Sequence, residues 1–198
     1  MSGSQSENES HTHLSLHTIE KVLSTHGVNC PPNNMEIYKR AFIHKSAVEN
    51  GMHSKSNERL EFLGDGVLEM VTKEYLYKRF PYQNEGFMTE KKIALVKNEH
   101  IGQLGLKLGL DKHLVLGQAA ESKNVRLNIK QLGCLFEALI GAIFLDFGEN
   151  GYQVARSFIT SVYHSYVDWN VLITTNDNYK NKLQVLIQKS FKTTPSYV

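Results

Sequence analysis

Residues 57–71, NERLEFLGDGVLEMV, carry four carboxylates at helical spacing. Glu58, Glu61, Asp65 and Glu69 follow one another at steps of three or four residues. In an α-helix such residues are neighbours on one side, where like charges repel one another. Three kinds of neighbour could face this row of carboxylates: lysine side chains, a metal ion or only water.

A further carboxylate, Glu137, lies in the segment IKQLGCLFEALIGAIFLDFG, residues 129–148. This segment is apolar nearly all round, which predicts a helix at the centre of a bundle. Burying an unpaired carboxylate there would cost on the order of several kcal/mol. Glu137 must therefore be protonated, paired with Arg or Lys from another helix, or bound to a metal ion.

The two helices together suggest a metal site. If they pack against each other, Glu61, Asp65 and Glu137 converge in a largely apolar bundle. Anionic, all-oxygen ligands suit Mg²⁺ or Mn²⁺ rather than zinc. Such ions hold phosphates and orient an attacking water, so the pattern indicates phosphodiester hydrolysis.

The elements that must position these acids are predicted to be helices. Few segments alternate apolar and polar residues with period two, and most show helical periodicity, so the fold class is all-α. A chain of 198 residues with 41% apolar content can bury one core and a small second module. The net charge of +2 excludes a globally basic protein, so a nucleic-acid surface would have to be a local patch.

Composition divides the chain into four parts. We expect a polar, mobile tail in residues 1–13, the main domain in 14–168, a polar linker in 169–178 and part of a second domain in 179–198. Cys30 and Cys134 show no zinc or disulfide spacing, which fits a reducing compartment. Without a signal-peptide pattern or a long apolar run, we expect a soluble, intracellular protein with no membrane partner.

The motif ERLEFLGDG carries a family resemblance. It is preceded by AFIHKSAVENG and followed by FPYQNEGFMTEKKIALV and then LGCLFEALIGAIFLD. In this order and spacing the chain resembles the ribonuclease III family over residues 14–168. The C-terminal YKNKLQVLIQKSFKTTPSYV resembles the start of a double-stranded-RNA-binding domain.

The resemblance implies a helical nuclease domain that forms a homodimer. Each subunit would hold one site dependent on Mg²⁺ or Mn²⁺, beside a valley that takes A-form double-stranded RNA. Recognition would be mostly by shape, phosphates and 2′-hydroxyls. Hydrolysis in this family leaves 5′-phosphate and 3′-hydroxyl ends.

The resemblance also implies roles for individual acids. Glu61, Asp65 and Glu137 match the metal-site acids, and Glu58 and Glu85 match two further acids of the RNA valley.

Four other residues match family positions. Phe62 matches the aromatic residue that enters the partner subunit, although an ordinary core phenylalanine is the alternative. Lys130 matches a lysine near the site in Dicer-type members, where it would face phosphate charge. His44 and Ser46 belong to a segment that we assign to packing and helix capping.

Cys134 departs from the family pattern. The family has an Asp at this position, three residues before the acid matched by Glu137. Mg²⁺ binds thiolates poorly, and a buried neutral thiol behaves as a small hydrophobic group. Either the site tolerates the change with three acids, or it is weakened, prefers Mn²⁺ or is catalytically silent. Asp146, nine residues after Glu137, points to a different part of the bundle and does not compensate.

Three clusters of basic residues could line an RNA valley, because phosphate contacts dominate affinity. A solvated surface is the alternative for each. Their members are Lys39, Arg40, Lys45, Lys91, Lys92, Lys97, Lys123, Arg126 and Lys130.

Three functions remain open from the sequence. The first is an active, metal-dependent double-stranded-RNA endonuclease. The second is a dimer on the same fold that binds duplex RNA without cutting it, which Cys134 favours and the retained acids oppose. The third is a helical bundle with structural ion pairs, which requires a Lys or Arg beside Glu137.

Overall fold

The structure, a computed structural model, describes residues 15–174 and, singly, residues 187, 190 and 192. The expected tail and the partial second domain therefore lie outside the described residues, apart from those three positions. Within the described part the chain is helical, with one isolated parallel bridge between Ile43 and Val115, which confirms the all-α prediction. The helices are α1 (Leu16–Thr25), α2 (Met35–Ala41), α3 (Lys45–Glu49), α4 (Glu58–Arg79), α5 (Glu85–Val96), α6 (Asn98–Lys107), α7 (Gln118–Ser122), α8 (Ile129–Asp146), α9 (Gly151–Tyr166) and α10 (Trp169–Thr174).

Helix α8 is the centre of the bundle. Its residues from Leu132 to Ile143 are buried except for the half-buried Cys134, and α4 and α6 pack along it. The side chain of Asn128 begins the helix by accepting hydrogen bonds from the backbone N–H groups of Lys130 and Gln131. The prediction of a central buried helix is confirmed.

The other end of α8 is tied to the start of α2. The carboxylate of Asp146 accepts hydrogen bonds from the backbone N–H groups of Asn33 (3.0 Å) and Asn34 (2.7 Å) and from the Tyr38 hydroxyl (3.0 Å). Asp146 thus has a structural role, as expected, and does not join the acids around Glu137.

Helix α10 is formed by the first residues of the segment that the sequence predicts to be a linker. The indole ring of Trp169 lies 5.3 Å from the Tyr75 ring, and the Arg79 guanidinium lies 4.3 Å from the centre of that indole. Residues 169–174 are therefore helical rather than extended, and Trp169 packs against α4. In residues 15–174, no helix combines the length and apolar character needed to cross a membrane.

Candidate active site

Two glycines allow α4 and α8 to cross at very short range. A Cβ atom on Gly64 would lie 1.8 Å from the carbonyl oxygen of Glu137, and one on Gly141 would lie 2.2 Å from that of Leu60. Because Glu61 lies one turn before Gly64, this crossing brings it next to Glu137. Helical periodicity alone does not distinguish these two glycines, although a glycine inside a helical pattern often marks a close packing contact.

The crossing assembles three donor groups. One carboxylate oxygen each from Glu61 and Glu137 and the sulfur of Cys134 all lie within 4.8 Å of one another. Glu137 is only 9% exposed, whereas Glu61 and Cys134 are half-buried. Asp65 is exposed and lies outside this cluster, but its charge acts on Glu137. The structure thus brings Glu61 and Glu137 together and leaves Asp65 at the edge of the site.

Glu137 faces negative rather than positive neighbours. Burial, followed by the charges of Asp65 and Glu61, raises the pKa of Glu137 to about 8. No ion pair within the described residues involves Glu137. Among the residues that the structure describes, the structural ion pair with Lys or Arg that the sequence left open is therefore not found.

Cys134 is a neutral thiol in this environment. Burial raises the pKa of Cys134 to about 12, with further contributions from its hydrogen bond to Glu61 and from the charges of Glu61 and Glu137. The nearby Lys130 opposes this effect only partly. The thiol donates to Glu61, where the family's Asp would add another negative charge.

The remaining acids of the row have partners of their own. Glu69 accepts a hydrogen bond from Lys92 at 2.8 Å and pairs with Lys73 at 3.3 Å. The exposed Glu58 accepts from the Ser56 hydroxyl at 2.9 Å. The row on α4 therefore meets lysines at one position and a hydroxyl at another, and only Glu61 and Asp65 face the acidic site.

Glu85, Phe62 and Lys130 are all exposed at the surface. Glu85 is the first residue of α5 and accepts a hydrogen bond from the Thr89 hydroxyl at 2.7 Å. Phe62 is 85% exposed, so the alternative of a core phenylalanine is wrong. Lys130 is exposed in the first turn of α8, near enough to Cys134 for its charge to act on the thiol.

The histidine and serine of the HKS segment hold the N-terminal end of α8 in place. The backbone N–H of Ser46 donates to His44 Nδ1 at 3.2 Å, while His44 Nε2 donates to the Gln131 side-chain oxygen at 3.1 Å. Burial lowers the pKa of His44, consistent with a neutral ring in which one nitrogen accepts. The packing and capping assigned to these residues is confirmed.

Some of the basic residues are already paired with acids. Lys91 is buried and bonds to Glu90 at 2.9 Å, and Arg126 forms two hydrogen bonds with the Glu121 carboxylate at 2.9 and 2.7 Å. The charges of Lys91, Lys92 and Arg126 are therefore balanced by neighbouring acids, so these residues are weaker candidates for phosphate contacts.

A divalent cation fits the acidic cluster. Two carboxylates converge with a third nearby, and no cationic side chain of the described residues pairs with Glu137, so positive charge would stabilise the site. Glu61, Glu137 and Asp65 are the oxygen donors available to it. Cys134 is a poorer donor for a hard ion.

A family model described as Ribonuclease-III-like matches residues 34–166, about two thirds of the chain. The chain belongs to the ribonuclease III family. Among its relatives in this family of endoribonucleases, Ribonuclease 3 of Bdellovibrio bacteriovorus is 36% identical over 169 residues, which cover 83% of this chain and 70% of the relative. Ribonuclease 3 of Chlorobaculum tepidum is 37% identical over 157 residues, which cover 77% of this chain and 56% of the relative.

Solved ribonuclease III structures share the fold. The nuclease domain of ribonuclease III from Campylobacter jejuni superposes with a TM-score of 0.66 at 28% identity, covering 76% of this chain and 95% of that domain. A second structure of that domain, with a TM-score of 0.67, 27% identity and coverage of 77% and 99%, is described as showing flexibility in a region involved in dimer formation.

The match to the ribonuclease III model includes every residue that the sequence analysis assigned to the site. The chain nevertheless spans just over half of the Chlorobaculum enzyme, so the relatives contain sequence that this chain does not match.

Proposed function

We propose that this chain is a metal-dependent endoribonuclease that hydrolyses phosphodiester bonds of double-stranded RNA, leaving 5′-phosphate and 3′-hydroxyl ends. The observation that carries the proposal is the meeting of Glu61 and Glu137 across the α4–α8 crossing, where no cationic side chain in the described part of the chain pairs with Glu137. An acidic site of this kind is suited to a cation and, through it, to a phosphate.

The roles follow from placement and charge. Glu61 and Glu137 would hold Mg²⁺ or Mn²⁺ from the buried side, and Asp65 would act from the exposed edge. When bound, the ion would supply positive charge that polarises the scissile phosphate and promotes deprotonation of the attacking water. Lys130, exposed beside Cys134, would contact a phosphate oxygen of the RNA backbone.

RNA binding would depend on exposed lysines. Lys45, Lys123 and Lys130 are exposed, and the ion pairs found in the described residues involve none of them. Glu58 and Glu85, also exposed, would shape the acidic side of the same valley. Because these contacts would be electrostatic, binding should weaken as the salt concentration rises.

A homodimer is the proposed assembly. Phe62 is 85% exposed on α4, and Met70, two turns further along the same helix, is 57% exposed. A partner subunit packed along this helix would cover both apolar side chains. The free thiols Cys30 and Cys134 favour a reducing, intracellular location for the dimer.

Sedimentation of Phe62→Ala tests the dimer. We expect the unaltered chain to sediment as a dimer and the variant to shift towards the monomer by at least about tenfold in dissociation constant, since buried aromatic anchors dominate such interfaces. Tyr82→Ala is the matched control, because Tyr82 is 99% exposed but lies in the turn after α4. Equal dimerisation of Phe62→Ala and the control would exclude this role.

Cys134 supports a second candidate function. A thiol in place of a hard oxygen ligand leaves fewer donors for Mg²⁺, so the chain would bind duplex RNA without cutting it.

Cleavage of a long labelled RNA duplex at low salt separates the two functions. The unaltered chain, Glu137→Gln and Cys134→Asp are compared in Mg²⁺ and in Mn²⁺. The endonuclease predicts cutting by the unaltered chain and a loss on the order of 10³-fold in Glu137→Gln. Silence of the unaltered chain in both metals, with cutting by Cys134→Asp, would establish the non-cutting RNA-binding protein.

A further inference from the structure

Cys134 changes the chemistry of the acidic cluster as well as its charge. Its sulfur is one of the three donors within 4.8 Å, together with oxygens of Glu61 and Glu137. Because the sulfur lies within 4.8 Å of both carboxylate oxygens, it points into the cluster rather than away from it. The cluster therefore combines one soft donor, the sulfur, with two hard donors, the carboxylate oxygens.

Mixed sulfur and oxygen donors suit a different ion from an all-oxygen set. Mg²⁺ requires oxygen ligands, whereas zinc-class ions accept both thiolate and carboxylate. Sites with three protein ligands and one open position are common for zinc in enzymes. Glu61, Cys134 and Glu137 provide such a set.

The spacing allows all three donors to reach one ion. With bonds of about 2.3 Å to sulfur and about 2.1 Å to oxygen, ligands of a tetrahedral ion lie roughly 3.5 Å apart. The present separations, all within 4.8 Å, need to shorten by no more than about 1.3 Å, which rotation of the carboxylate side chains can provide.

We propose that Glu61, Cys134 and Glu137 form a binding site for a thiophilic divalent cation of the zinc class, which competes with Mg²⁺ for the same position. Binding breaks the Sγ–H bond, the proton passes to the buffer, and the sulfur lone pair forms the bond to the ion. The metal site itself does not depend on the proposed function. Its effect does, because an ion held there would control access of Mg²⁺ to the nuclease site.

The other cysteine provides an internal control. Cys30 is also a free thiol but is exposed, and it is not among the donors clustered with Glu61 and Glu137. A metal that merely binds thiols would bind to Cys30 at least as readily as to the half-buried Cys134.

Ultraviolet titration with Cd²⁺ alone tests the site, because a cadmium–thiolate bond produces a charge-transfer absorption band. We expect one Cd²⁺ per chain, a band that Cys30→Ser retains and Cys134→Ser lacks, and an affinity loss of at least about tenfold in Cys134→Ser. A large excess of Mg²⁺ should displace Cd²⁺ from Cys134→Asp but not from the unaltered chain. Circular dichroism of each variant checks folding, and Cys134→Ala replaces Cys134→Ser if the serine variant does not fold.

Two results would overturn the inference, namely a band that follows Cys30, or equal Cd²⁺ affinity in the unaltered chain and Cys134→Ser. Failure of the proposed nuclease function is distinguishable, because the Cd²⁺ titration contains no RNA. If the chain shows the absorption band but does not cut RNA, the metal site is supported and the proposed nuclease function is contradicted.

Discussion

Helix α4 brings acidic side chains against neighbouring helices at both of its ends, in opposite surroundings. Towards its C-terminal end, Glu74 accepts hydrogen bonds from the Tyr152 hydroxyl at 2.6 Å and from Arg156 at 3.0 Å, and pairs with Lys78. These partners, Lys78 first, hold the pKa of Glu74 at about 2. Towards the N-terminal end, burial and neighbouring acids raise the pKa of Glu137, which faces α4 from α8, to about 8.

The two ends of α4 serve different purposes: the C-terminal end stabilises the fold, and the N-terminal end forms the acidic site. The partners of Glu74 join α4 to α9 and stabilise the folded chain. The acids around Glu137 destabilise it when no cation is present, since each ionised carboxylate raises the free energy of the others. Such unfavourable clusters are typical of functional sites, where the missing partner is a ligand.

The crossing itself should be the most sensitive point of the acidic end. Gly64→Ala places a Cβ atom 1.8 Å from the Glu137 carbonyl oxygen, so α4 and α8 must separate. We expect a loss of about 3 kcal/mol or more in the free energy of unfolding. Urea denaturation measures it.

The matched control is Gly66→Ala, on the same helix. No atom lies within 4 Å of a Cβ added at Gly66, so this variant should be up to about 1 kcal/mol more stable than the unaltered chain. Equal stabilities of the two variants would contradict the close crossing.

Removing one charge from each end should change stability in opposite directions. In EDTA at pH 8, Glu137→Gln should raise the free energy of unfolding by about 2 kcal/mol, because a buried charge near Asp65 and Glu61 is lost. Glu74→Gln should lower it by about 2 kcal/mol, because Arg156 and Lys78 lose their carboxylate. Urea denaturation of both variants measures the sign of each change in the free energy of unfolding. Destabilisation by Glu137→Gln would instead support a structural ion pair at Glu137.

The two ends should also lose stability at opposite extremes of pH. Glu137 has a folded pKa above its ordinary 4.5, so its favourable contribution is complete below pH 4.5 and is lost as pH rises towards 8. Glu74 has a folded pKa below 4.5, so its contribution is complete above pH 4.5 and is lost as pH falls towards 2.

Unfolding of the metal-free chain across this pH range measures both contributions. Each is expected to change stability by up to about 1 kcal/mol per pH unit. Glu137→Gln should flatten the alkaline side only, and Glu74→Gln the acidic side only. A variant that flattened the opposite side would contradict the assignment.

Glu69, between the two ends, should show the smallest effect. Its partner Lys73 is 59% exposed, its partner Lys92 is 20% exposed, and its own side chain is 38% exposed. Glu69→Gln should therefore cost less than about 1 kcal/mol, and the difference should vanish at high salt. Thermal unfolding at two salt concentrations measures it, and a larger loss that is independent of salt would be inconsistent with a surface pair.

Prediction from the sequence succeeded where local pattern was sufficient. Helical periodicity identified the all-α fold and the central α8, and the cost of burying charge marked Glu137 as a residue that needs an explanation. Periodicity could not show that Glu69 meets lysines while Glu61, two turns earlier on the same helix, meets Glu137 and Cys134. Partners distant in sequence depend on packing, which periodicity does not encode.

The sequence by itself determined the order of the helices, the acids at helical spacing and the thiol where a family acid is expected. Only the tertiary structure decided which of these groups meet. The crossing at Gly64 and Gly141 sets Glu61, Cys134 and Glu137 together, leaves Asp65 at the edge and exposes Phe62. The physical reason is that interhelical distance depends on the absence of a side chain at two positions, whose effect is visible only when the facing backbone is known.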